Sequence, residues 1–491
     1  MRILKKGRRP VKLVSQFKSF LTDTVNLNQT RLDALDANVV AIENFVRQCD
    51  WDPKIKSFYA QGSWAHDTII KPVDGGEFDA DLLVMVEPVE DWTASDYVKS
   101  LGKVFADSST YGDKTKIWDY CVTITYAGDR KVDIAPCVVG RQVSERIEVC
   151  NKRSDTFERS EPVEYTEWLK KQNGYSGGNS FRKITRLLKY LRDIKTTFTC
   201  PSVLLTTLLA SHIHWTDKDS DSFADVPTTL KTVMGRLDDW LQARPAKPVI
   251  ANPYLSSEDF ASCWSEVQYS NFRNFINKYR KWIDEAYDAP ERSASIAAWR
   301  RVFGDDFAKG EEVLAKASVS EGTSLVGRLL ASTAAHLDEL VEAVANYGVR
   351  VLPNDFFTPP HMHAPRWPRA ETFTRNVQVV ASWYSSKSAA NGRRLQREEV
   401  LSRNGGIWFD VTVNGGQELP AGYRVQWRIT NTGIMAMALN AGRGEFYAPH
   451  SGNRRWEELS YRGVHIAEAF IIRRNDEKLV GQSDPFPVII E

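Results

Sequence analysis

Three carboxylates carry most of the chemistry legible in this sequence. The segment Glu77-Phe78-Asp79-Ala80-Asp81-Leu82-Leu83-Val84-Met85-Val86 reads as a strand. Residues i and i+2 of a strand share a face, so Asp79 and Asp81 project together, with Leu83 and Met85 continuing that side. Two like charges this close are costly unless cations neutralise them. All-oxygen donors on a rigid strand suit Mg²⁺ or Mn²⁺. A third carboxylate, Asp133, stands between Val132 and Ile134 in a second strand-like run, where an unpaired Asp would be expensive. A neighbouring strand that brings Asp133 beside Asp79 and Asp81 would let three Asp clamp two divalent ions ~4 Å apart, the arrangement for in-line phosphoryl or nucleotidyl transfer. Upstream, Gln61-Gly62-Ser63-Trp64 places a Gly-Ser turn that opens a helix. Such a turn offers backbone N–H groups and a hydroxyl to an anion. Gly-Ser alone is also a plain turn with a capping Ser. Gly-Ser, D-x-D sixteen residues on and a strand Asp about fifty further together specify phosphate and metal chemistry.

The elements that must position these groups follow from periodicity and punctuation. Arg31 to Cys49 carries the apolar stripe of an amphipathic helix. Short β-like runs follow at Ser57–Gln61, Asp81–Val86, Ile117–Tyr126 and Lys131–Ile134, so the first ~145 residues read as α+β. From about Thr166 to Tyr347 the patterns are helical: Phe181–Asp193, Ser202–His214, Leu230–Leu241, Phe272–Tyr287, Ala294–Phe303 and Leu325–Tyr347. A Pro-rich stretch, with Pro353, Pro359, Pro360, Pro365 and Pro368, reads as a linker or extended strap. Beyond it, Val377–Trp383, Ile407–Val413, Tyr423–Thr430, His465–Arg473 and Phe486–Ile490 alternate like strands, and about 120 residues suffice for a β-sandwich. The expected division is 1–165 for the carboxylate-bearing core with its N-terminal helix, 166–350 for a helical lobe, 351–370 for the linker and 371–491 for a β-rich domain.

Composition sets bounds on the rest. The chain has 491 residues, 42% of them apolar and 26% charged, which is globular and too long for one core. Sixty-four basic residues against 63 acidic ones give a net charge of +1, so net charge demands no nucleic-acid partner. Residues 1–18 hold seven basic residues and no acid, read as a solvated tail or an arm that touches polyphosphate or nucleic acid. The six cysteines have no C-x-x-C pair, which fits reduced thiols in the cytoplasm and argues against structural zinc. No apolar run reaches the ~18–20 residues needed to span a bilayer, so no membrane partner is expected.

The G-S…D-x-D…D pattern resembles the polymerase-β-type nucleotidyltransferase superfamily. The downstream segments Leu187-Leu188-Lys189-Tyr190-Leu191, Pro201-Ser202-Val203, Asn252-Pro253 and Trp299–Phe307 are similar to its cGAS/DncV-like branch, the CD-NTases, over roughly residues 30–310. The resemblance implies a polymerase-β-type core with a helical lobe. It implies that Gln61, Gly62 and Ser63 line a triphosphate pocket, with Lys189 and Ser202 also touching phosphates. The residue that stacks on the base is not legible, Tyr190 and Tyr254 being the candidates. Asp79, Asp81 and Asp133 would be catalytic, holding two Mg²⁺ or Mn²⁺ ions. The substrates would be NTPs, ATP among them. The product would be a cyclic di- or trinucleotide or short oligonucleotide messenger, read by a downstream effector in bacterial anti-phage defence. Alternatives are a nucleotidyltransferase acting on an RNA or protein acceptor, or a catalytically silent nucleotide sensor. Val425–Gly433, Arg443-Gly444, Tyr461–His465 and Pro485–Val488 resemble the adenylyl/guanylyl and SMODS C-terminal sensor domain. From Glu371 on there are thirteen arginines and two lysines. Arg suits bidentate phosphate recognition, and Arg443, Trp456 and His465 are the candidates for holding an activating ligand there.

Overall fold

Strand β2 (Phe78–Val86) shows how the alternation in the sequence becomes a fold. Its even-numbered residues, Phe78, Ala80, Leu82, Val84 and Val86, enter the main N-terminal core. Its odd face carries Asp79 and Asp81 and then Leu83 and Met85, which pack with Cys137 and Val139 in a separate small cluster. The predicted face of the two aspartates is therefore the observed one. The computed structural model describes residues 11–311 and 340–491, apart from 74, 347, 353, 360, 372–375 and 433–442. Arg2, Lys5, Lys6, Arg8 and Arg9 of the basic N-terminus, and most of the helix expected over 325–347, lie outside the described residues. Residues 340–346 of the latter are helical.

The chain divides into two units, Met1–Ile194 with Cys200–Ala315, and Lys195–Thr199 with Lys316–Glu491. In the first, β1 (Ile55–Gln61), β2, β3 (Thr115–Ile117), β4 (Val122–Thr125), β5 (Arg130–Val139), β6 (Ile147–Asn151) and β7 (Thr156–Ser160) form one sheet. Its path is β1-β2-β5-β4-β3, with β6 on β5 and β7 on β6. Only β2 and β5 run parallel within it. Helices α2 (Gln29–Gln48) and α4 (Ala94–Ala106) cover the even face of β2, and the four-residue turn of helix α3 (Gly62–Ala65) leads straight out of β1. Asn28 caps α2, its side chain accepting from the Arg31 N–H at 2.9 Å. Thr93 and Asp96 form a capping box on α4.

The run Ile117–Tyr126, read as a single strand, is two: β3 and β4 are joined by a tight turn in which the Trp118 N–H donates to the Cys121 carbonyl at 2.8 Å. The helical part comprises α5 (Pro162–Ser176), α6 (Ser180–Lys195), α7 (Ser202–Ala210), α8 (Val226–Gln242), α9 (Glu266–Asp288) and α10 (Arg292–Phe303). Helix α7 stops four residues short of the expected His214. A small hairpin of β8 (Ala251–Asn252) and β9 (Leu255–Asp259) interrupts the helices. Helix α1 (Val14–Phe20) is sewn to α10 by aromatic contacts, Phe17 meeting Trp299 edge-on at 4.8 Å.

The second unit contains two facing sheets. One has the order β11 (Arg393–Arg394), β10 (Val377–Tyr384), β13 (Gly406–Val413), β16 (Arg455–Glu458). The other runs β12 (Val400–Leu401), β19 (Phe486–Ile490), β17 (Gly463–Arg473), β14 (Tyr423–Asn431), β15 (Arg443–Tyr447), with β18 (Lys478–Gln482) on β17. Ile407, Phe409 and Val411 of one sheet share a core with Trp427, Ile429 and Ile471 of the other. The proline-rich strap lies along this unit: the Leu479 N–H donates to the Pro368 carbonyl at 2.9 Å, and Trp367 is buried with Phe470, Ile472 and Leu479. Among the described residues no helix is long and apolar enough to cross a membrane.

Candidate active site

The parallel pairing of β2 with β5 sets Asp81 directly beside Asp133 and Asp79 beside Lys131. Carboxylate oxygens of Asp79, Asp81 and Asp133 lie within 4.8 Å of one another. Burial, then the charges of Asp79 and Asp133, push the Asp81 carboxyl up to about 7. Burial and the Asp79 charge also raise Asp133, against the Thr123 hydroxyl, which donates to its Oδ1. The cluster thus carries more negative charge than its surroundings offset. Three converging oxygen donors with that excess fit divalent ions of the Mg²⁺ type.

Gly62 follows β1, whose last residue, Gln61, pairs with Asp81. Its φ is +67°, and a Cβ built there would lie 1.8 Å from Asp81 Oδ2. The turn therefore presses its backbone onto the carboxylate, which a side chain at 62 would prevent. Ser63 sits on the other side of that turn, and its carbonyl accepts from the Thr68 N–H at 2.9 Å.

Lys189 comes from α6 and is 4% exposed. Its Nζ donates to the Thr68 carbonyl at 3.1 Å and to Thr68 Oγ1 at 3.2 Å. Burial, then the Arg192 charge, push it down to about 8. Ser202 opens α7, and its hydroxyl accepts from Arg192 Nη1 at 3.2 Å.

One cleft of about 340 Å³ is lined by Gln61, Gly62, Ser63, Asp79, Asp81, Lys189 and Ser202 together. Every phosphate-site candidate from the sequence is thus on its wall, with Asp133 joined to it through Asp79 and Asp81. Tyr190 is not: it is buried, edge-on to Phe20 at 5.3 Å, on another side of α6 from Lys189. Tyr254 is half exposed on the β8–β9 turn, outside the lining. The cleft instead holds Tyr165, Phe260, Asn252 and Glu258. Of these, sequence reasoning reached only Asn252, as part of Asn252-Pro253, because the others join the site through tertiary packing alone. His66 lines the cleft as a neutral packing group. Its Nε2 meets Thr166 Oγ1 at 3.1 Å, and burial, then Lys189, hold it down at about 4.

In the second unit Arg443, Trp456 and His465 line a single cavity of about 440 Å³. Arg443 already has a partner: its guanidinium donates to Glu457 Oε2 at 2.5 Å and Oε1 at 3.0 Å. Arg455 donates to the same carboxylate at 2.6 Å. His465 Nε2 meets the Tyr461 carbonyl at 2.8 Å, and burial lowers its pKa.

Comparison with known proteins identifies two domains in this chain. Residues 11–173 match the model of the Second Messenger Oligonucleotide or Dinucleotide Synthetase domain, and residues 357–491 match the Adenylyl/Guanylyl and SMODS C-terminal sensor domain. The chain is a nucleotidyltransferase that carries these two domains. This nucleotidyltransferase is 23% identical over 389 residues to a c-di-GMP synthase of Roseivirga ehrenbergii, covering 70% of this chain and 99% of the relative. The structure of E. coli MS115-1 CdnC with ATP aligns with a TM-score of 0.49 at 19% identity, over 60% of this chain and 98% of that one. Vibrio cholerae DncV cyclic AMP-GMP synthase, in complex with nonhydrolyzable GTP, aligns with a TM-score of 0.41 at 18% identity, over 53% and 72%.

Proposed function

We propose that this nucleotidyltransferase joins NTPs through phosphodiester bonds into a cyclic di- or trinucleotide or short oligonucleotide messenger. Each step forms one P–O bond between a ribose hydroxyl oxygen and an α-phosphorus and breaks the bond to pyrophosphate, which leaves. The observation that carries this reading is the convergence of Asp79, Asp81 and Asp133 beside the Gly62-Ser63 turn in one cleft. The relative's name, c-di-GMP synthase, supports the same product class. Bacterial anti-phage signalling through an effector that reads the product is the setting this reading implies.

Asp79, Asp81 and Asp133 would hold two Mg²⁺ ions, which when bound supply charge neutralisation for the triphosphate and acidify the attacking hydroxyl. The protein's own groups do the rest. Asp133 Oδ1 is held by the Thr123 hydroxyl, which leaves Oδ2 to receive the ribose hydroxyl proton. The N–H groups of the Gly62-Ser63 turn and the Ser63 hydroxyl face the phosphates. Lys189 has three donors; Thr68 takes two, and the third reaches a phosphate oxygen. Arg443, Trp456 and His465 line the place where an activating ligand would act on the sensor domain.

Ser63→Ala and Lys189→Met are each expected to weaken nucleotide binding by about 1–3 kcal/mol, the range for a charge-assisted hydrogen bond. The phosphates are held throughout the reaction, so KM rises more than kcat falls. Steady-state kinetics with saturating Mg²⁺ check this, and an unchanged KM with a collapsed kcat would remove both residues from the phosphate site. The reading as a whole is tested by pyrophosphate release from mixed NTPs. Release should require Mg²⁺ or Mn²⁺, stop with EDTA and return when the metal is restored. Metal-independent release would overturn it.

A further inference from the structure

The far wall of the active-site cleft contains a feature that phosphate chemistry does not explain. The β8–β9 hairpin contributes Asn252 and Glu258, and Phe260 follows it. A carboxylate on the wall of a site for polyanions repels phosphates. Glu258 must therefore serve a part of the substrate that donates hydrogen bonds. Its surroundings suit a flat ring: Phe260 and Tyr165 line the same cleft, edge to face at 5.6 Å.

The hydrogen bonds around Glu258 fix its role further. Asn252 is 4% exposed, and its Oδ1 accepts from the Tyr254 N–H at 3.0 Å, which settles the orientation of the amide. Its Nδ2 then donates to Glu258 Oε2 at 2.7 Å. Among the described residues Glu258 has no other hydrogen-bond partner, so Oε1 and the second lone pair of Oε2 stay open. An ionised carboxylate only accepts. Guanine is the base that places two donors side by side on one edge, N1–H and the 2-amino group. Adenine and cytosine set their single amino group beside a ring-nitrogen acceptor, and uracil flanks its one N–H with two carbonyl oxygens. Those neighbouring acceptors would face the carboxylate unpaired, and a site built for donors rejects such bases strongly.

We propose that Glu258, held by Asn252, reads the N1–H and 2-amino edge of guanine, making GTP a preferred substrate of this cleft. This rests on the reading of the cleft as an NTP site. Asn252 acts through Glu258 and is a positioning residue.

The test compares GTP with inosine triphosphate, which lacks only the 2-amino group, and with ATP, by calorimetry on the full chain with Mg²⁺. Wild-type protein is expected to bind GTP about 10- to 100-fold more tightly than ITP, the span of a charge-assisted hydrogen bond. Glu258→Gln should bring GTP down to the ITP level, leave ITP within a few fold and strengthen ATP, whose amino group and neighbouring ring nitrogen an amide can pair. Asn252→Ala should narrow the GTP/ITP ratio without erasing it. Equal wild-type affinity for GTP and ITP overturns the proposal, and that comparison needs no variant to fold. Equal weakening of GTP, ITP and ATP in Glu258→Gln also overturns it, since the carboxylate would then be serving the ribose. Binding is read without turnover. Guanine discrimination without pyrophosphate release would therefore defeat the synthase reading and leave this one standing, whereas release from ATP with no preference for GTP would do the reverse.

Discussion

Replacing Asp81 with Asn is expected to abolish nucleotide joining and, at the same time, to stabilise the metal-free protein. The rate should fall on the order of 10²–10³-fold or more, as when a preorganised electrostatic group is removed. The stability gain follows from linkage. In the metal-free fold Asp81 titrates near 7 because it is buried beside Asp79 and Asp133, whereas an unfolded Asp titrates near its ordinary range around 4. The stability of the neutral form is fully present below about pH 4 and is lost as pH rises through 7. An amide has no such titration, so at pH 8 the variant should be more stable by roughly 2–4 kcal/mol. Thermal melts in EDTA at pH 5 and pH 8 would show the wild-type protein losing ground between them and the variant losing less. Asp79→Asn and Asp133→Asn should be as inactive. Near wild-type turnover in any of the three would remove that residue from the metal cluster.

Gly62→Ala should be nearly as damaging, for a steric reason. The new Cβ would stand 1.8 Å from Asp81 Oδ2 at a φ of +67°. A left-handed residue with a side chain costs about 1–2 kcal/mol of backbone energy. The larger effect is the displacement of Asp81 from its partners, expected to lower activity on the order of 100-fold, since misplacement of about 1 Å costs that much. Gly75→Ala is the control. Its φ is +68° and nothing lies within 4 Å of the Cβ position. It pays the same backbone cost and should keep its activity. If the two variants were equally active, the close approach of the turn to Asp81 would be irrelevant to catalysis.

The parts of this site that were legible in the sequence are those fixed by short-range geometry. Period two put Asp79 and Asp81 on one face, and the strand at Asp133 needed only a neighbour to join them. Lys189 was found through motif resemblance, and its burial against Thr68 explains why an apolar-flanked cation belongs there. The same helix misdirects the eye at Tyr190, because the next residue turns about 100° away and meets Phe20 instead. The turn at Trp118–Cys121 was missed because it contains neither Gly nor Pro, the residues that usually announce one. Tyr165, Phe260 and Glu258 were beyond reach for a different reason. They converge from α5 and the β8–β9 hairpin only after the helical part has packed, and nothing local in Leu255–Asp259 distinguishes a cleft wall from a polar loop.

The central claim is that this cleft condenses free nucleotides with each other. The most direct measurement is the mass spectrum of the small-molecule product from purified protein, Mg²⁺ and all four NTPs, with nuclease digestion to assign the linkage. The expected product has the mass of two or three nucleoside monophosphate units joined by phosphodiesters, or of a short oligomer of them. One pyrophosphate should be released per bond formed, and Asp133→Asn should yield none. Nucleotide label found only on RNA or protein, or intact NTPs alongside an unchanged mass spectrum, would contradict it.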